Sequence, residues 1–308
     1  MPNWKTVLDE ITQHKTTHEK RAIQSADIVR RRYLKKLQQY TGRNVIAYYS
    51  GFLAKPSNLP LQIADEDKNG LMMAIHNLDR TKGLDLILHT PGGNMAATES
   101  MVDYLRKMFG KDIRAVVPQI AMSAGTIIAC CCKRILMAKH SNLGPIDPQI
   151  DGLACFEVIK EFDRAYLEMK TDPASAHRWR PILSQYRPTF LGQCQNAIDW
   201  ANDFVTEQLR DCMFEGLPDA AEKAKEAVER LTVGNMSHSR HIHAEQCKAI
   251  GLVIEDIESD QELQDLILTV HHCYMHALTN TNAFKMIENH LGAAFVKQAV
   301  IQAIQAIN

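Results

Sequence analysis

Apolar residues change their spacing near residue 44, and that change organises the chain. Upstream, Ile23, Ala26, Val29, Tyr33 and Leu37 recur at helical intervals among Arg30-Arg31-Arg32 and Lys35-Lys36. This is the pattern of an amphipathic helix with a solvated charged face, expected to dock on its own domain or on a neighbour. Downstream, short apolar runs at 45–49, 84–88, 113–117 and 135–137 read as strands. Segments of helical spacing at 65–80, 94–109 and 123–133 separate them. Strands separated by such helices pair in parallel, because a parallel connection needs a crossover of about a dozen residues. Past residue 150 the stretches 155–170, 193–214, 219–231, 260–276 and 282–306 all show helical spacing, punctuated by Pro173, Pro181, Pro188 and Pro218. The pattern predicts a basic amphipathic N-terminal arm over 1–42, an α/β domain over 43–258, and a helical C-terminal extension over 259–308.

Composition narrows the class. The 308 residues, 45% apolar and 23% charged, are ordinary for a globular protein with a real core. Lys plus Arg number 35 against 36 Asp plus Glu, a balance that gives no general argument for nucleic acid or an anionic membrane as partner, and neither is expected. The charge-free stretch 115–132 has the nominal length of a spanning helix, but Pro118, Gln119, Ser123, Gly125 and Thr126 interrupt it. A buried strand, a tight turn and a buried helix fit it better than membrane insertion. Of the eight cysteines three are consecutive (Cys130, Cys131, Cys132) and none forms a CxxC pair, so reduced, packed thiols are expected. Trp4, Lys5 and Asp9 stand where a signal peptide needs an apolar stretch. A cytoplasmic location is the expectation.

Three loops carry candidate chemistry. His89-Thr90-Pro91-Gly92-Gly93-Asn94 follows the second strand, and paired glycines there let backbone amides approach a ligand and favour developing negative charge. Ala121-Met122-Ser123-Ala124-Gly125-Thr126 follows the third strand, where a serine is either a helix N-cap or an exposed nucleophile. The amide of Ala124 and that of Gly93 can face one oxyanion. The third loop, 140–149, supplies His140 and Asp147. A serine hydroxyl needs a base, and His140, Lys133 and Lys139 lie near Ser123 in sequence. His272 and His276 have metal-ligand spacing but no intervening HExxH glutamate, so no metal and no cofactor is expected.

The strings HTPGGN (89–94), AMSAGT (121–126) and LGPIDPQ (143–149), in this order, resemble the serine dehydrogenase proteinase family, a branch of the Clp/crotonase superfamily of serine peptidases. The resemblance spans roughly 44–256. It implies an α/β fold, a crotonase/Clp-like spiral of ββα units with a helical C-terminal half. It implies a serine peptidase with Ser123 as nucleophile, Gly92, Gly93 and Ala124 as oxyanion hole, and peptide or unfolded protein as substrate. Clp subunits place a histidine where this chain has Ile146-Asp147-Pro148. The resembled branch uses the order Ser, Asp, His, so Asp147 and a downstream histidine are implied, with His238 of Ser237-His238-Ser239-Arg240-His241 aligning best and His140 as the alternative. Relatives form rings or stacks, which implies a homo-oligomer. No GxxxxGK[ST] loop is present, so an ATP-dependent unfoldase would be a separate protein. An acyl-CoA enzyme and a catalytically decayed scaffold subunit are the alternative readings of such a scaffold.

Overall fold

A computed structural model describes residues 4–17, 22–232 and 239–299. Helices α1 (Trp4–Thr17) and α2 (Ala22–Thr41) precede β1 (Asn44–Ser50). Then come α3 (Asp67–Ile75), β2 (Leu84–His89), α4 (Met95–Phe109), β3 (Ile113–Val117), β4 (Ile120–Ala121), α5 (Ala124–Cys130) and β5 (Arg134–Met137). Three two-residue strands follow: β6 (Asn142–Leu143), β7 (Gln149–Ile150) and β8 (Leu153–Ala154). The helical stretch comprises α6 (Cys155–Thr171), α7 (Ala176–Leu183), α8 (Phe190–Gln208) with a π-helical continuation, and α9 (Ala220–Thr232). The chain closes with β9 (Ile242–His243), α10 (Ala244–Ile250), β10 (Ile254–Asp256), α11 (Gln261–Asn280), β11 (Ala283–Asn289) and β12 (Ala294–Gln298).

The main sheet has the order β10-β5-β3-β2-β1-β11-β12, parallel from β10 to β1 and antiparallel at β11 and β12. It is covered on both sides, which is why its strands are nearly continuous apolar runs. Alternation along β1 shows the two faces. Val45, Ala47 and Tyr49 pack with α2 and α11, whereas Ile46 and Tyr48 join the larger core with α3, α4, α5 and α9. Part of the helical stretch, α6 with the start of α8, builds a small core of its own around Cys155, Val158, Phe190 and Cys194. Among the described residues no helix is long and apolar enough to cross a membrane. All eight cysteines are buried and free.

Two expectations fail, both for electrostatic reasons. The helix expected over 282–306 is replaced, in its described part, by β11 and β12, and β11 pairs with β1 inside the sheet. Lys285 and Glu288 stand at the i, i+3 spacing of a solvated helical face, yet both are fully buried, ion-paired to Asp67 and to Arg30 and Arg31. Likewise Arg30, expected on a solvated face, is 1% exposed and donates to Glu288 at 2.6 Å. Where described, α2 of the expected arm docks on its own domain, packing with β1, β11 and α11.

Where β2 ends, His89 is buried with Nδ1 3.1 Å from the Ser50 carbonyl and Nε2 3.2 Å from the Gln119 side-chain amide. Burial lowers its pKa to about 4 from the ordinary 6.5. His271, in contact with Tyr49, shifts the same way, by burial and by the charge of His89. Between pH 6.5 and 4 the unfolded chain therefore binds a proton that folded His89 refuses. Stability is complete above pH 6.5 and declines toward pH 4, by on the order of 3 kcal/mol for His89. Thermal unfolding measured from pH 7 to 4.5 should show a falling Tm, and His89→Gln should flatten that fall; an equal slope in both proteins contradicts the assignment.

Candidate active site

Ser123 lies between β4 and α5 at φ 49°, ψ −114°. A residue with a Cβ held there stores roughly 1–3 kcal/mol of strain. It occupies the N-cap position of α5, but its side chain makes no capping bond. A capping role therefore does not account for the serine. Backbone pairing holds the strained turn instead. Thr90 forms a parallel bridge with Ala121: its N–H donates to the Ile120 carbonyl at 3.2 Å and its carbonyl accepts from Met122 N–H at 3.0 Å. Below the turn, Thr126 Oγ1 donates to the Ala121 carbonyl and accepts from Gly144 N–H, each at 2.9 Å. That hydroxyl ties the serine loop to the third motif.

The Gly-Gly loop packs directly on the serine. Gly92 has φ 97°, and a Cβ there would stand 2.8 Å from both the Met122 carbonyl oxygen and the Ser123 Cβ. A Cβ on Gly93 would stand 2.3 Å from the Ile63 nitrogen. This contact is a second parallel bridge, in which Ile63 N–H donates to the Gly92 carbonyl at 2.8 Å and Asn94 N–H to the Ile63 carbonyl at 2.9 Å. Those bonds use the groups flanking Gly93, which leaves its own N–H on the opposite side. Ala124 is the first helical residue of α5, whose N–H has no intrahelical partner. Among the described residues neither amide donates a hydrogen bond.

Ser123, Gly93 and Ala124 line one cleft of about 1040 Å³. Asp147, 7% exposed, lines it too, beside the apolar Ile127, Ile146, Ile150 and Trp200. The third motif reaches the cleft because β6 pairs with both β4 and β9, and because Ile146 N–H donates to the Leu231 carbonyl at 3.1 Å. The candidate bases separate. His140, Lys133 and Lys139 are exposed and line no part of the cleft, and His140 acts electrostatically on His271 of α11. His238 lies outside the described residues. Sequence reasoning missed Ile63, which braces the Gly-Gly loop, and Trp200 of α8, which lies on the cleft wall. Neither belongs to a motif, and Ile63 sits in a loop with no periodicity to read. Among the described residues no group of three or more His, Cys, Asp or Glu could hold a metal ion.

The model of a family described as ClpP-like SDH-type serine proteinase matches residues 16–279. Two uncharacterized proteins of Methanocaldococcus jannaschii are similar in sequence. One is 32% identical over 193 residues, 63% of this chain and 60% of that protein. The other is 27% identical over 230 residues, 73% of this chain and 71% of that protein. The alignment thus spans less than two thirds of the first relative's length.

The strain at Ser123 has a measurable consequence. Ser123→Gly should raise stability by about 1 kcal/mol or more relative to Ser123→Ala, because only glycine adopts this backbone conformation freely. Urea unfolding of the two variants decides it; equal midpoints would show that the turn is unstrained.

Proposed function

The chain belongs to the ClpP-like SDH-type serine proteinase family, and from that premise we propose that it hydrolyses peptide bonds through an acyl-enzyme on Ser123. One observation carries the reading: an uncapped serine in a strained turn shares a cleft with two amides that have no other hydrogen-bond acceptor among the described residues. In the proposed reaction Ser123 Oγ attacks the substrate carbonyl carbon and a base takes its proton. The Gly93 and Ala124 amides stabilise the oxyanion. Collapse expels the amine, which receives that proton, and water then releases the acyl group by the same steps.

For the base we propose His238, oriented by Asp147. Support comes from the two described ends of the segment that contains it. Leu231, just upstream, is bonded to Ile146; Ile242, just downstream, pairs with Leu143 in antiparallel register. Both ends thus rest on the stretch that leads into Asp147. A buried carboxylate suits the task of holding an imidazolium. Peptides or unfolded proteins as substrate, and a homo-oligomeric assembly, belong to the same proposal.

A fluorophosphonate probe should label the wild type and not Ser123→Ala, and hydrolysis of casein or a fluorogenic peptide should vanish with the label. Labelling of both proteins to the same extent would refute the nucleophile. His238→Ala and Asp147→Asn should each lower kcat by about 10³-fold or more, whereas His140→Ala should stay within about twofold of wild type. The reverse ranking would transfer the base to His140.

A further inference from the structure

The strand read as a helix from its spacing brings a buried ammonium against the 61–64 segment, which lines the cleft. Lys285 Nζ of β11 contacts the two Asp67 carboxylate oxygens at 2.8 and 3.0 Å, and both side chains are fully buried. A buried ion pair is a weak source of stability, since an apolar pair of similar volume often does as well or better. This pair also holds main chain. Lys285 Nζ donates to the Gln62 carbonyl at 2.6 Å. Asp67 accepts from the Ala64 N–H at 3.0 Å and from the Tyr48 hydroxyl at 2.7 Å. Ser50 Oγ donates to the Leu61 carbonyl at 2.7 Å. Three main-chain groups flanking Ile63 are thus fixed by buried side chains from β1, α3 and β11. Ile63 itself is the residue bridged to Gly93.

We propose that Lys285, Asp67 and Ser50 are positioning residues, which fix the 61–64 segment so that Ile63 holds Gly93 with its amide aimed into the cleft. The inference rests on the serine peptidase reading and extends it to residues that touch no substrate. Residues 61–64 belong to no helix or named strand, and Leu61 and Ile63 among them are buried. Their carbonyls need donors that an apolar neighbour could not provide. Loosening this brace displaces an oxyanion donor, and a shift of about 1 Å costs on the order of 100-fold in rate.

The test combines Lys285→Met and Asp67→Asn in one chain, which removes both charges, approximately keeps the volumes and strands no lone charge. Wild type and variant are compared for kcat and KM on a fluorogenic peptide, for affinity toward a peptide boronate that forms a tetrahedral serine adduct, and for the urea midpoint. The expected result is a fall of about 10–100-fold in kcat and in boronate affinity together, with KM within about threefold. A merely structural pair would change the urea midpoint and leave both kcat and boronate affinity of the folded protein at wild-type values, and that result overturns the proposal. Should the double variant fail to fold, Ser50→Ala decides, since it removes one donor and strands no charge. A several-fold lower kcat at unchanged KM supports the brace, and wild-type kcat overturns it. A wild type without Ser123-dependent labelling refutes the peptidase reading and the brace with it, an outcome distinct from an active wild type matched by its variants.

Discussion

The bridge between Thr90 and Ala121 joins the strand ends from which the Gly-Gly loop and the serine turn depart. Because two main-chain hydrogen bonds set its register, neither loop can slide without the other. The register presses Gly92 onto Ser123 and leaves room for no side chain between them. A positive φ at the serine and two unbonded amides are then consequences of one local geometry, paid for by the surrounding core. Gly125 belongs to the same constraint, since a Cβ there would lie 2.5 Å from Thr90 Cγ2.

Around that centre, charges buried inside the fold connect parts of the chain that are far apart in sequence. Glu288 of β11 receives Arg30 and Arg31 from α2 and the Tyr274 hydroxyl from α11. On the other side of β11, Lys285 reaches Asp67 at the start of α3. Desolvating these groups is costly unless every partner is in place, so the pairs specify one arrangement of the layers more than they deepen its stability. They also make the N-terminal helices and the last strands part of the body that carries the cleft.

Much of the core was legible because parallel strands buried on both faces appear as compact apolar runs, and β1, β2, β3 and β5 stand where those runs are. The helix over 65–80 was overestimated, since α3 ends at Ile75 and His76 leaves helical backbone angles there. The last strands were misread because charges at i and i+3 look solvated to any local reading. What buries Lys285 lies 218 positions away in the chain.

By itself the sequence determined the order of the three motifs, and with it Ser123, Gly93 and Asp147 of one cleft; Gly92, expected beside Gly93 in the oxyanion hole, lines no part of it and donates its amide to Thr90 Oγ1 at 3.2 Å. Such residues are legible locally because tight turns and close backbone approaches tolerate few residue types. Tertiary structure alone decided that Ile63 braces Gly93, that β11 enters the sheet beside β1, and that exposed His140 lines no part of the cleft. Each of these depends on pairings between distant segments, whose energy comes from shared burial and leaves no periodicity in either segment.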